Sequence, residues 1–142
     1  GTATDAILSY VALGLFKDQA EIDAAPVQTF GTVKPGDIRY KDLNNDNIID
    51  ENDQHVIGNS SARIQYGFNL HLKYKSFELF TLGTGQYGQK RYYNNSYYWI
   101  YADRKYSEVV WDRWTPATAE TATYPRLTTL SNPNNFRNST FW

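Results

Sequence analysis

Residues 64–74, Ile64-Gln65-Tyr66-Gly67-Phe68-Asn69-Leu70-His71-Leu72-Lys73-Tyr74, carry the pattern that decides the fold of this chain. Apolar side chains occupy every second position of the run, with polar residues or glycine between them. Side chains of a β-strand alternate between two faces, whereas those of an amphipathic helix repeat about every 3.6 residues. The run therefore predicts a β-strand with one apolar and one polar face.

The residues that follow predict a hairpin partner for this strand. Lys75-Ser76 can form a tight turn, and residues 77–87 are again rich in apolar side chains before they become glycine-rich. Strands of this length can cross a bilayer at a tilt, as in outer-membrane barrels, but soluble hairpins alternate in the same way. Because each barrel strand carries only a weak signal, the run by itself favours a soluble hairpin.

The composition narrows the functional classes. The chain has 142 residues, of which 41% are apolar and 16% aromatic, and its formal net charge is −1. Aromatic residues favour half-buried strand positions, and a nearly neutral chain without a basic cluster predicts no nucleic-acid partner. The chain has no cysteine, which removes disulfides and thiolate zinc sites. It also has no methionine, from which we expect a segment excised from a longer protein, with Gly1 as a cleavage scar.

Upstream of the hairpin, residues 42–53 have the ligand spacing of a calcium loop. Oxygen-bearing side chains fall at the first, third, fifth, ninth and twelfth places, and the carbonyl at the seventh place can supply one more oxygen. The candidate ligands are Asp42, Asn44, Asp46, the Ile48 carbonyl, Asp50 and Asp53. Ca²⁺ takes about six to eight oxygen ligands, so the spacing predicts a metal site, although Asn and Asp also cluster in ordinary turns.

Details of this stretch predict a structural site rather than a calcium sensor. Asn47 stands at the sixth place, where the sharp turn usually has glycine. Asp53 is shorter than the usual glutamate, from which we expect weaker binding. Ile49 at the eighth place is expected to anchor the loop to a core. Because residues 38–41 alternate as a strand does, the loop is predicted to lie outside any helix pair.

Two short helices are predicted outside the strands. The first covers about residues 18–25, with Asp18 as N-cap and Glu21 as its capping-box partner. The second covers about residues 103–114 and begins with Asp103 as its cap. Its apolar stripe consists of Tyr106, Val109, Val110 and Trp114.

No stretch predicts catalysis. Residues 83–88 match the G-x-G-x-x-G pattern of dinucleotide sites, but no helical pattern follows them to bind a pyrophosphate. His55 and His71 lack a His or Cys partner at metal-ligand spacing. Because no catalytic motif is found, we predict that the protein is not an enzyme.

An aromatic cluster is a candidate platform for stacking sugar rings. Its candidate ligand-stacking residues are Tyr97, Tyr98, Trp99 and Tyr101. An aromatic girdle or the core of a folded loop is the alternative interpretation of the same residues.

A set of short segments is informative when taken in chain order. They are Gly14-Leu15-Phe16 with Glu21-Ile22, Pro35-Gly36-Asp37-Ile38-Arg39-Tyr40-Lys41-Asp42-Leu43-Asn44-Asn45-Asp46-Asn47-Ile48-Ile49-Asp50, Ile57-Gly58, Tyr66-Gly67-Phe68-Asn69, Tyr74-Lys75-Ser76-Phe77-Glu78-Leu79, Trp111-Asp112-Arg113-Trp114-Thr115-Pro116, Tyr124-Pro125-Arg126-Leu127 and Ser139-Thr140-Phe141-Trp142. Together they resemble the SusC/RagA family of TonB-dependent outer-membrane transporters of Bacteroidetes. The resemblance covers roughly residues 14–142, and the segment that begins at Pro35 is its most specific part. Asn47 departs from the family's usual glycine.

The resemblance implies a mainly β chain with antiparallel hairpins from a 22-stranded barrel, long extracellular loops and the two short helices. Residues 1–142 are then a single excised segment of that barrel domain. It comprises a loop region with the metal-binding motif (27–60), a membrane hairpin (63–88) and an aromatic-rich loop, helix and tail (89–142).

The implied function is import of glycans or other large nutrients across the bacterial outer membrane, with Ca²⁺ as a structural ion in an extracellular loop. The implied partners are a SusD-like lipoprotein and TonB, both through the full-length parent. The resemblance also implies a glycan or peptide substrate, and membrane lipid around the barrel strands. The alternative is a secreted, calcium-stabilised carbohydrate-binding module that folds alone.

Overall fold

The computed structural model describes residues 3–142, so Gly1, the predicted cleavage scar, lies outside the described residues. The strands are β1 (Ala6–Tyr10), β2 (Ala12–Leu15), β3 (Val27–Gln28), β4 (Ile38–Tyr40), β5 (Ile48–Ile49), β6 (Gln54–Asn59), β7 (Ile64–Tyr74) and β8 (Phe77–Tyr87). Also present are one α-helix, α1 (Gln19–Asp23), and 3₁₀ helices at Glu51–Asp53 and Glu108–Asp112. The prediction of a mainly β chain is confirmed. No helix within residues 3–142 is long and apolar enough to cross a membrane.

The strands pair two by two. β2 pairs antiparallel with β4, β7 pairs antiparallel with β8, β3 pairs parallel with β5, and β1 pairs with β6. The register of β2 against β4 shifts between Ala12 and Gly14, where Gly14 has a φ of +111°. A bulge with this backbone angle strongly favours glycine, because a side chain would be strained there.

The chain divides into two compact units. The first contains the residues up to Ile7 together with Val56–Arg91, and it is called the hairpin unit because it includes β7 and β8. The second contains Leu8–His55 and Tyr92–Trp142. It is called the loop unit because it includes residues 42–53.

In the hairpin unit, β7 and β8 pair in register along their whole length, from Ile64 opposite Tyr87 to Tyr74 opposite Phe77. Directly opposed residues of an antiparallel pair share a face, so one face of the hairpin is almost wholly apolar. Its large side chains are Ile64, Tyr66, Phe68, Leu70, Leu72, Tyr74, Phe77, Leu79 and Tyr87, and all of them are exposed. The opposite face carries Gln65, Asn69, His71, Lys73, Glu78 and Gln86 beside Phe80 and Leu82.

Two glycines of β8 make room for aromatic rings from β7. A Cβ atom on Gly83 would overlap the Phe68 ring, and one on Gly85 would overlap the Tyr66 ring. Each ring therefore lies over the backbone of the opposite strand. This close approach accounts for Gly83 and Gly85, the first two glycines of the G-x-G-x-x-G pattern.

The core of the loop unit takes single residues from many segments. Its buried members are Tyr10, Ile38, Tyr40, Ile49, Ile100, Val110, Tyr124 and Trp142. Aromatic rings dominate it: the centroid of the Tyr10 ring lies 5.1 Å from that of Phe30 and 5.5 Å from that of Tyr40. Ile49 is fully buried, which confirms the prediction that it anchors residues 42–53, called the metal-loop stretch, to a core.

A buried ionic cluster joins the start of β4 to the C-terminal tail. Asp37 is fully buried, and its carboxylate accepts hydrogen bonds from Asn132 Nδ2 and Asn135 Nδ2, both at 2.9 Å. Its Oδ1 lies 2.8 Å from Nε of Arg126, whose side chain is largely buried. The carboxylate therefore has the charge partner and hydrogen bonds that a buried ion needs.

Side-chain amides complete the edge of β4 that faces away from β2. The backbone N–H of Ile38 donates to Asn135 Oδ1 at 2.8 Å, and that of Tyr40 donates to Gln28 Oε1 at 2.7 Å. Asn134 Nδ2 donates to the Ile38 carbonyl at 2.9 Å. Because these buried backbone groups need partners, the amides stand in for a neighbouring strand.

The first predicted helix is shorter than residues 18–25, because α1 covers only Gln19–Asp23. Asp18 is its N-cap, and its side chain accepts a hydrogen bond from Glu21 N at 2.9 Å, as predicted. The Glu21 carboxylate accepts from Lys17 N at 2.9 Å, one residue before the expected capping-box donor. Ala25 precedes Pro26 and is disfavoured in a helical conformation, which stops the helix early.

The helix predicted at residues 103–114 is wrong. Only Glu108–Asp112 forms a short 3₁₀ helix, Asp103 does not cap it, and Ala102 just upstream has a φ of +56°. Arg113 is extended and bridges Tyr124, so pairing with a distant segment overrides the helical spacing. Of the predicted apolar stripe, Val110 is buried, Val109 and Trp114 are partly buried and Tyr106 is exposed.

The buried tyrosines predict a loss of stability at alkaline pH. Burial raises the pKa of Tyr40 above its ordinary range, and burial also raises the pKa of Tyr124. The unfolded chain ionises these phenols near pH 10, so their contribution is complete below about pH 10 and is lost as the pH rises toward the folded-state pKa. We expect the urea midpoint to fall above about pH 10, and Tyr40→Phe to reduce that fall. An unchanged pH dependence in Tyr40→Phe would contradict the assignment to Tyr40.

Candidate metal centre

The backbone of residues 42–53 makes two left-handed turns in its first half. Asn45 has a φ of +61° and Asn47 a φ of +64°. Asn adopts this region more readily than most residues, so Asn47 makes the turn that glycine usually makes at the sixth place. The carboxylate of Asp42 supports both turns, because it accepts hydrogen bonds from Asn45 N at 2.6 Å and Asn47 N at 2.8 Å.

Asn44 and Asp46 are held together inside this first half. Asn44 Oδ1 accepts from Asp46 N at 3.0 Å, and Asn44 Nδ2 donates to Asp46 Oδ2 at 2.9 Å. The other oxygen of Asp46 accepts from Ile48 N at 2.9 Å. The third and fifth places are therefore neighbours in space, as a calcium loop requires.

The middle of the loop is fixed by β5. The carbonyl of Asn47 accepts from Val27 N at 3.0 Å, and the carbonyl of Ile49 accepts from Thr29 N at 3.2 Å. Successive carbonyls along a strand point in opposite directions, so the Ile48 carbonyl points away from β3. That direction leaves the seventh-place oxygen free of the strand pair.

The end of the loop is closed by Asp53, which is fully buried. Its Oδ1 accepts from Leu43 N at 2.7 Å, and its Oδ2 accepts from Asp50 N at 2.9 Å. Asp50 caps the 3₁₀ helix by accepting from Asn52 N at 2.8 Å. Asp53 therefore joins the start of the loop to its end, a contact that ligand spacing alone did not reveal.

The donor set fits a hard cation, although the carboxylates do not meet at one point in this conformation. Residues 42–53 hold five carboxylates and no Lys or Arg, so their mutual repulsion favours binding of a cation. Within the described residues, no three His, Cys, Asp or Glu side chains are grouped closely enough to bind one metal ion. A carboxylate can accept about four hydrogen bonds, so the oxygens that cap N–H groups keep lone pairs for an ion.

The aromatic platform is divided into two groups. Tyr98 lies between Tyr93 and Tyr97, with ring centroids 4.8 Å and 5.1 Å away, and Tyr97 is exposed. Trp99 and Tyr101 both pack on Phe136, at 5.9 Å and 5.0 Å between centroids. Tyr97 and Tyr98 therefore belong to one group of rings and Trp99 and Tyr101 to another, and both Tyr98 and Trp99 pack against the core.

Two comparisons with known proteins identify no relative of this chain. No protein-family model matches the chain, and a search of curated proteins finds no match.

Proposed function

We propose that this chain is part of a TonB-dependent outer-membrane importer of the SusC/RagA type. Its parent takes up glycans or other large nutrients, and a structural calcium loop stiffens the extracellular side. A SusD-like lipoprotein and TonB act on the full-length parent, and the β7–β8 hairpin contacts lipid. The observation that carries the proposal is the fully paired hairpin with one continuous, exposed apolar face.

The order of side chains on that face suits a bilayer. Tyr74 and Phe77 lie at the turn end, Tyr66 and Tyr87 lie toward the open end, and leucines lie in between. Outer-membrane strands place aromatic residues at both interfaces and aliphatic residues between them. Eleven residues span about 37 Å, or about 28 Å in height at a tilt of about 40°, close to the apolar band of about 25 Å.

The calcium part of the proposal rests on the loop backbone. The turns at Asn45 and Asn47, the buried Ile49 and the outward Ile48 carbonyl agree with a calcium loop. Asp42, Asn44, Asp46, Asp50, Asp53 and the Ile48 carbonyl would hold the ion. Ca²⁺ would neutralise the repulsion among the carboxylates and hold the loop in one shape.

A pair of neighbouring substitutions tests the membrane face. We expect Leu70→Lys, at the middle of the apolar face, to weaken binding to phosphatidylcholine vesicles by about 2–4 kcal/mol. Asn69→Lys places the same charge on the polar face one residue away and should have little effect. Vesicle flotation of the 142-residue chain measures both.

Sedimentation without detergent gives an independent result. The exposed apolar face and the unpaired strand edges should make the chain self-associate, and detergent should reverse this association. A monodisperse monomer that ignores detergent and vesicles would instead favour the secreted carbohydrate-binding module.

Metal removal tests the calcium loop. We expect EDTA to lower the melting temperature and Ca²⁺ to restore it, because a ligand of the folded state stabilises it by about 2.7 kcal/mol at a hundredfold excess over Kd. Asp46→Ala should abolish the response, whereas Asp103→Ala, an exposed carboxylate outside the loop, should retain it. A calcium response that survives in Asp46→Ala would show that the ion binds elsewhere.

A further inference from the structure

One cavity of the loop unit has a volume of about 780 Å³ and is lined in part by Asp50, Glu51 and Asn52, at the end of residues 42–53. Tyr10 and Phe30 line its aromatic part, Glu51 and Gln54 line its acidic and amide part, and Arg137 comes from the C-terminal tail. Cavities of about 300–1,000 Å³ suit small molecules when a few polar groups converge on an apolar wall.

Arg137 is held in place without a carboxylate partner. Its Nε donates to the Pro133 carbonyl at 2.8 Å, and its guanidinium carbon lies 3.2 Å from the centroid of the Phe30 ring and 5.2 Å from that of Tyr10. None of the ion pairs within residues 3–142 involves Arg137. The Arg137 side chain is partly buried, and this burial lowers the pKa of its guanidinium. A fixed guanidinium fork is a ready partner for a carboxylate, which it binds through two parallel hydrogen bonds.

The acidic part of the cavity carries a negative charge, in contrast to the positive charge of Arg137. The exposed Glu51 carboxylate forms no ion pair with any described residue. Gln54 donates its Nε2 to the Tyr10 hydroxyl at 2.9 Å, and the carbonyl end of its amide is a second acceptor. Arg137 and Glu51 line the same cavity without forming an ion pair with each other, so their charged atoms lie more than 4.0 Å apart.

We propose that this cavity binds a small zwitterion, with its carboxylate on Arg137 and its ammonium group on Glu51. A simple anion would face the carboxylates of Glu51 and Asp50, and a simple cation would face Arg137. A molecule that carries both charges, as an amino acid does, can satisfy both. The proposal depends on neither the transport function nor the calcium ion.

Titration calorimetry with amino acids and their blocked derivatives tests the two contacts separately. The probes are L-serine, L-leucine and L-phenylalanine, followed by the methyl ester and the N-acetyl form of whichever binds most tightly. We expect each blocked form to bind at least about tenfold more weakly, since it loses one of the two charges. Binding of either blocked form as tightly as the parent, or binding of none of the three amino acids, would overturn the proposal.

Variants of the protein provide the second arm. Arg137→Gln should abolish binding, and Arg137→Lys should weaken it because the fork is lost while the charge remains. Glu51→Gln should weaken binding at least about tenfold, whereas Glu108→Gln, an exposed carboxylate outside the cavity, should not. If Arg137→Gln fails to fold, the exposed Glu51→Gln variant decides, and unchanged affinity in that variant overturns the ammonium contact.

Discussion

Replacement of Asp37 with alanine is expected to lower the free energy of unfolding by about 3–5 kcal/mol. The substitution leaves the largely buried Arg126 guanidinium without its carboxylate and removes the acceptor of two asparagine amides. An uncompensated buried charge costs more than the ion pair itself contributes, which is why the expected loss is large. Urea unfolding followed by tryptophan fluorescence measures it.

Two further variants separate the charge effect from a general loss of packing. Asp103→Ala removes an exposed carboxylate and should change stability little. Arg126→Met in the Asp37→Ala background removes the orphaned charge and should recover part of the loss. A loss in Asp37→Ala no larger than in Asp103→Ala would show that the cluster does not stabilise the fold.

Trp142→Ala is expected to cost about 3–5 kcal/mol. The Trp142 ring is 9% exposed, lies 5.8 Å from Tyr124 and 6.1 Å from Phe136 between centroids, and donates its indole N–H to the Asn135 carbonyl at 2.8 Å. Its removal leaves a cavity among rings that belong to separate segments and cannot easily close it.

Trp111→Ala is the matched control for this loss, because Trp111 is 80% exposed. It should change the free energy of unfolding by about 0.5 kcal/mol or less. Equal losses in the two tryptophan variants would contradict the core that the structure describes.

The hairpin is the part of the fold that sequence reasoning predicts best. The alternation of residues 64–74 gives both the strand and its two faces, and the structure pairs them as expected. Such a pattern is local, because the side-chain period of a strand is visible within a few residues. The turn at Asn47 and the burial of Ile49 within residues 42–53 follow from local spacing in the same way.

Contacts between distant segments were not predictable from local patterns. The tail around Asn134 and Asn135 looked irregular in the sequence, yet its amides complete the edge of β4. Hydrogen bonds between side chains and the backbone follow no sequence period, so the composition of the tail does not predict them. The helix predicted at residues 103–114 is wrong because its last residues pair with another segment, as Trp114 N donates to the carbonyl of Tyr124, ten residues later.

The candidate sites show the same limit. The spacing of residues 42–53 predicted which oxygens would bind a metal ion. It did not predict that the Asp53 carboxylate accepts hydrogen bonds from Leu43 N and Asp50 N, because these contacts form only when the loop is closed. The sequence did not identify Arg137 as a candidate site residue, because it belongs to no motif or cluster of charges. It becomes notable only when Phe30, more than a hundred residues earlier in the chain, is found beneath its guanidinium group.

The amides that complete β4 also govern the order in which the loop unit can assemble. Asp37 and Asn135 are 98 residues apart, so during synthesis β4 leaves the ribosome long before its asparagine partners in the tail exist. Until then the N–H group of Ile38 remains hydrated, and closing so long a loop is entropically unfavourable. Contacts of such high sequence separation slow folding. The loop unit is therefore expected to fold slowly, and only after Asn134 and Asn135 have been made.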